Sequence, residues 1–326
     1  MASRDSRKPP TGRRLGANSR GTAPIPRRRH QHQPEELRAP SMNNQPIAQG
    51  DDRWLIALDV DGTLVHDDGY MSAVVAAEVA RVRALGHEVV IATGRSAANT
   101  IPVIRDLDID GGEAVCSNGA VTVRIDHTHP RGFEPIEVIS FDPRTVLTEL
   151  LQYLPDAHFA VEELDGSYKF HKPFPAYALG DVNQETPLEE LMQNPVSRVV
   201  VLSPGHDLDD FLALVKKAGL HSVSYAIGYT AWLDISPEGV SKATALERIR
   251  ADRNIRQDQV LVIGDGRNDV HMFKWAQAGG GLAYAMGQGP EDVREQATAV
   301  TANVEDDGVA RVLSGFEGIL FTRALG

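Results

Sequence analysis

The chain is 326 residues long, 42% hydrophobic, and carries a net charge of −12, a balance that fits a soluble globular protein with room for two domains. A single cysteine, Cys116, excludes an intrachain disulfide and fits a reducing cytoplasm. No run approaches the ~18–20 apolar residues that a membrane-spanning helix needs.

Residues 1–50 hold ten bases against three acids, so the net −12 of the whole becomes −19 for the remainder. With almost no aliphatic content, this basic tail cannot bury enough surface to offset its ordering entropy and is expected to be disordered. It is either an arm for nucleic acid or an anionic membrane, with its charge as the only hint, or a dispensable extension ahead of a start at Met42. The second reading is preferred.

After the tail, Trp54–Leu58 reads as a buried strand and runs into Asp59-Val60-Asp61-Gly62-Thr63-Leu64. Two carboxylates two residues apart face opposite sides of a strand. Past the strand end, where Gly62 lets the backbone turn, both can face one pocket. Such a pair suits a hard divalent cation and a nucleophile with its proton donor. A helix is expected over Ser72–Leu85, where Val75, Val79 and Val82 recur at helical spacing, then a strand over His87–Ala92. That strand ends in Thr93-Gly94-Arg95, whose hydroxyl and backbone amides suit phosphate oxygens. A helix over Ala97–Leu107 and a strand over Ala114–Cys116 follow.

From Arg124 to Gly228 the pattern becomes mixed. Strands are expected at Ile136–Phe141, Phe159–Val161, Tyr168–Phe170, Arg198–Leu202 and Val223–Ile227, with Asp165-Gly166 turning a hairpin. Helices are expected at Arg144–Leu154, Leu188–Met192 and Leu208–Ala218. Beyond this block, Gly239-Val240-Ser241-Lys242 opens a helix with Lys242 at its positive end. Val260–Ile263 is a last buried strand, ending in Gly264-Asp265-Gly266-Arg267-Asn268-Asp269. Strands alternating with helices indicate a parallel sheet, with the chemistry-bearing residues at its carboxyl edge.

These motifs, with Ser117-Asn118-Gly119-Ala120 and Ala285-Met286-Gly287, resemble the haloacid dehalogenase superfamily, and within it the Cof-type phosphatases. The resemblance runs from about Trp54 to the C-terminal helix. It implies an α/β fold, a doubly wound Rossmann-like parallel sheet interrupted by an inserted α+β cap. The expected limits are 51–123 and 229–326 for the core and 124–228 for the cap. One departure is Gly279-Gly280-Gly281 with Tyr284 ahead of Ala285-Met286-Gly287.

The resemblance further implies Mg²⁺-dependent hydrolysis of a phosphate monoester of a small metabolite, such as a sugar phosphate, by a cytoplasmic monomer or homodimer. Asp59 would be the nucleophile and Asp61 the general acid and base. Mg²⁺ would be held by Asp59, by Asp61 or the Val60 carbonyl, and by Asp265, with Asp269 in the outer shell. Thr93, Gly94, Lys242 and Asn268 would hold the phosphate. Asp61 favours a phosphatase because an alkoxide leaving group needs a proton. A phosphohexomutase and a catalytically idle binding protein are the alternatives. Arg95, Tyr168, Lys169, His171 and Lys172 are candidate substrate contacts; the last four equally suit an ordinary amphipathic strand edge.

Overall fold

A computed structural model describes residues 52–316 except 176–177, 181, 221–222 and 228–230. The expectations on the basic tail and on Met42 lie outside these residues.

The first half of the core runs β1 (Leu55–Leu58), α1 (Ala73–Ala84), β2 (Glu88–Ala92), α2 (Ala97–Asp106) and β3 (Glu113–Cys116). Strands β4 (Val121–Ile125) and β5 (Phe133–Val138) follow. The middle contains α3 (Arg144–Tyr153), β6 (His158–Glu162), β7 (Tyr168–Phe170), β8 (Asn183–Glu185), β9 (Arg198–Leu202), α4 (Leu208–Ala218), β10 (Val223–Ile227) and β11 (Trp232–Pro237). The chain closes with α5 (Lys242–Asp252), β12 (Val260–Gly264), α6 (Val270–Ala278), β13 (Leu282–Ala285), α7 (Glu291–Arg294), β14 (Ala299–Val300) and α8 (Gly308–Ser314).

One sheet has the order β14-β13-β12-β1-β2-β3-β4-β5, parallel from β14 to β3. All residues of β1 and β12 are buried, as expected of central strands covered on both faces. The chain leaves β1 toward β2 and returns on its other side as β12. The carboxyl ends of β1 and β12 therefore flank a topological switch point, where open α/β sheets bind ligands.

The second sheet, β10-β11-β9-β6-β7-β8, carries α3 and α4 on one face. Phe159, Val199, Val201, Leu233 and Ile235 pack under these helices with Leu147, Leu150, Phe211 and Val215. The strand period of two turns Ala160, Val200 and Trp232 to the opposite face, where they meet Tyr168 and Leu179. Arg198 and Asp234 share that period.

The expected limits of the inserted block do not coincide with this second sheet. The turn at Ser117–Gly119 folds β4 back antiparallel on β3, and β5 pairs with β4, so both extend the first sheet. At the other end β11 pairs with β9 and β10, inside the second sheet. The strand expected at Ile136–Phe141 is thus β5, displaced toward the N-terminus. Leu188–Met192 is a 3₁₀ turn rather than an α-helix, the tighter form used in short connecting pieces, and no side chain caps it. The glycine triplet follows α6: a Cβ on Gly281 would lie 2.6 Å from the Val260 carbonyl oxygen and 2.9 Å from that of Ala276. This close approach lets β13 start directly beside β12.

Cys116 is buried, and burial pushes its thiol up to about 12, against a hydrogen bond with Thr100. The native protein is expected to resist iodoacetamide at pH 8 and to be alkylated only after denaturation, which intact mass measurement reads directly.

Candidate active site

Asp59 leaves the end of β1 and is buried. Facing it across the first sheet, Lys242 at the start of α5 is fully buried. Ser241 caps that helix, its hydroxyl accepting from the Thr244 amide while the Thr244 hydroxyl accepts from the Ser241 amide. The Lys242 Nζ donates to Asp59 Oδ1 at 2.6 Å and to Asp269 Oδ1 at 2.7 Å. Asp269 Oδ2 accepts from the backbone N–H groups of Asp265 and Gly266, each at 2.9 Å. Asp269 is therefore engaged on both oxygens by protein donors, consistent with a positioning role.

Burial alone would lower the Lys242 ammonium, but the carboxylates of Asp269 and Asp59 more than offset this and hold it above an ordinary lysine. Burial also pushes Asp59 well above the usual carboxylate range; Asp269 and Asp265 add to the rise and Lys242 opposes it. A crowded carboxylate group of this kind lowers its energy by taking up a cation. Carboxylate oxygens of Asp59, Asp265 and Asp269 lie within 4.8 Å of one another. This oxygen-only donor set fits a hard ion such as Mg²⁺.

Two glycines make the cluster possible. A Cβ on Gly62, at φ +70°, would lie 2.1 Å from Asp265 Oδ2, and one on Gly119, at φ +101°, 2.2 Å from the Ser241 carbonyl oxygen. Gly119→Ala is expected to cost about 1–3 kcal/mol, read from the urea midpoint, because both the backbone angle and the space forbid a methyl group.

The Val60 carbonyl accepts from the amides of Thr63, Leu64 and Val65. Its lone pairs are engaged inside the turn. Asp61 itself is exposed and gripped by Arg95, with Nε 3.0 Å from Oδ2 and Nη2 2.5 Å from Oδ1. Arg95 thus holds the second carboxylate at the cleft mouth. The Thr93 hydroxyl accepts from the Arg95 amide and is fully buried. Asn268 donates to Asn118 Oδ1 at 3.1 Å.

A cleft of about 560 Å³ opens over these groups. Asp59, Asp61, Gly94, Arg95, Asp265 and Asn268 line it from the first sheet, and Arg198, Trp232 and Asp234 from the second. Thr93 and Lys242 stand behind this lining. Of the candidate contacts at 168–172, none lines the cleft. The buried Tyr168 hydroxyl donates to Glu162, and Lys169 pairs with Glu163. His171 contacts the Phe159 backbone, and Lys172 donates to the Asp156 carbonyl. Strand β7 lies two strands from β9, which is why these side chains fall short of the cleft.

The residues that reach it were recognisable only as polar positions on one face of apolar strands, Arg198 ahead of Val199–Leu202 and Asp234 within Trp232–Pro237. Arg198 donates to the Gly94 carbonyl, to the Tyr168 hydroxyl, and to Glu162 Oε2 at 3.1 Å. Ser117 at the end of β3 donates to the same Glu162 oxygen at 2.7 Å, so a buried polar network ties the two sheets together. Burial raises the carboxyls of Glu162 and Asp234, and Arg198 pulls both back. Among the described residues, no helix is long and apolar enough to cross a membrane.

The family described as haloacid dehalogenase-like hydrolases matches residues 56–313. The 5-amino-6-(5-phospho-D-ribitylamino)uracil phosphatase YitU of Bacillus subtilis (strain 168) is 25% identical over 281 residues, covering 81% of this chain and 97% of its own. Among solved structures, the subclass IIB sugar phosphatase BT4131 superposes with a TM-score of 0.68 at 21% identity, covering 81% of this chain and 99% of its own. The phosphatase BT1666 of Bacteroides thetaiotaomicron superposes with a TM-score of 0.65 at 25% identity, covering 81% and 95%.

Proposed function

Because the chain belongs to the haloacid dehalogenase-like hydrolase family, we propose that it is a Mg²⁺-dependent phosphatase acting on a phosphate monoester of a small metabolite, a sugar phosphate or a close analogue, through an aspartyl-phosphate on Asp59. The observation that carries this reading is the buried Asp59 at the floor of the cleft, held by Lys242, with a second carboxylate, Asp61, two residues on at its mouth. YitU is named as the phosphatase of a phosphoribitylamino-uracil and BT4131 as a sugar phosphatase, which supports the same class.

An Asp59 oxygen attacks phosphorus and the bond to the leaving oxygen breaks, while Asp61 gives that oxygen its proton. Asp61 then accepts a proton from water as the water attacks the aspartyl-phosphate, releasing phosphate and regenerating Asp59. Asp59 and Asp265, with Asp61 or the Val60 carbonyl, would hold Mg²⁺, which would supply positive charge to the phosphoryl oxygens and keep Asp59 ionised. Lys242, the Gly94 amide and Asn268 complete the anion site, and Asp269 fixes Lys242. Thr93 sets the turn through its bond to the Arg95 amide.

Phosphate release from a panel of phosphorylated metabolites, with Mg²⁺ and with EDTA, tests the proposal. Metal-dependent release supports it. Conversion of a sugar phosphate into its isomer without free phosphate would instead identify a mutase, and no reaction on any member would leave the idle reading.

A further inference from the structure

The leaving-group side of the cleft has an uneven charge balance. Asp59 and Asp265 belong to the phosphoryl and metal side; beyond them the cleft is lined by two acids, Asp61 and Asp234, and two bases, Arg95 and Arg198, with Glu162 behind Arg198. Both bases are already matched. Arg95 is forked on Asp61. Arg198, only 6% exposed, pairs with Glu162 at 3.1 Å and with Asp234 at 3.4 Å. Protonation of Asp234 would still leave Arg198 balanced by Glu162. Among the described residues, no lining cation on this side is therefore in surplus for a second anionic group on the substrate.

Asp234 also has the chemistry to recognise something else. Its Oδ2 accepts from Trp232 Nε1 at 3.2 Å and its Oδ1 from Arg198, while the side chain remains 18% exposed. A carboxylate has about four lone-pair sites, so acceptor capacity remains toward the cleft. Trp232 lines the same wall, and Phe174 packs against its ring at 85° and 5.7 Å, fixing it. An acceptor carboxylate beside a fixed indole suits a group with hydroxyls on one side and C–H surface on the other.

Resting on the phosphatase reading above, we infer that the leaving group is an uncharged polyhydroxy compound, with hydroxyls donating to Asp234 and its carbon skeleton against Trp232. Substrates whose leaving group carries a carboxylate or a second phosphate are rejected at the same wall, because an unpaired anion there meets acids and no surplus base.

The test compares kcat/KM for phosphate release within matched pairs that differ in one carboxylate: glycerol 3-phosphate against 3-phosphoglycerate, and sorbitol 6-phosphate against 6-phosphogluconate. The wild-type protein is expected to favour the neutral member of each pair by about tenfold or more, and Asp234→Asn to shrink that ratio to about threefold or less, chiefly by raising KM for the neutral member. A wild-type ratio of one or below would overturn the inference, and so would a ratio unchanged by Asp234→Asn. Acetyl phosphate, assayed with the wild-type protein, separates the two levels of failure. Its hydrolysis alongside a ratio of one or below removes only the polyol assignment. Failure to hydrolyse it or any pair member removes the phosphatase reading and this inference with it.

Discussion

Asp59→Asn is expected to lower phosphate release by about 10⁴-fold or more while leaving the fold intact, the scale seen when a nucleophile acting as part of a unit is removed. The amide keeps the side chain's shape but cannot attack phosphorus. The fold survives for a specific reason. Lys242 retains Asp269 at 2.7 Å, so no buried charge loses its last partner. The substitution also removes one of the crowded carboxylates that raise each other's energy. The metal-free variant should therefore melt no lower than the metal-free wild type. Release at a near wild-type rate would remove Asp59 from the chemistry.

Lys242→Ala is expected to damage both activity and stability. It removes the fully buried cation that Asp59 and Asp269 share. Breaking a buried pair on one side costs about 3–5 kcal/mol, measured as a fall in the urea midpoint in EDTA. Loss of the charge on the transferred phosphoryl group should cost about 10²–10³ in kcat. The pH dependence has a definite sign. Asp59 has a folded pKa raised above its unfolded value. Between the two values the native state binds more protons than the unfolded state, so stability falls as pH rises through that window. Without Lys242 the penalty is larger, and the variant should regain stability as the pH is lowered toward the unfolded value, 3.8. A midpoint equal to wild type in EDTA would show that the carboxylates find other compensation.

The first-sheet half of the candidate site was legible because each of its parts is local. Asp59, Thr93 and Asp265 each follow a short apolar strand directly, and Lys242 opens a capped helix. Hydrophobic runs and turn residues identify such positions without knowledge of strand order. The second sheet was not legible in the same way. Whether Tyr168 or Arg198 faces Asp59 depends on β9 lying between β6 and β11, and that order is set by long-range pairing. The span of the second sheet differs from the expected 124–228 for a related reason. Strand β4 returns on β3 through Ser117 and Asn118, both at positive φ. Asn118-Gly119 is itself a strong turn signal, but a tight turn alone does not say in which of the two sheets the returning strand lies.

Chemical trapping of the covalent intermediate tests the central claim most directly. The protein, mixed with Mg²⁺ and its best substrate, is quenched in acid and reduced with borohydride, which converts an aspartyl-phosphate to homoserine. Peptide mass spectrometry should then find homoserine at position 59, dependent on substrate and metal. Turnover without this product, or its appearance at another carboxylate such as Asp61 or Asp265, would contradict the account.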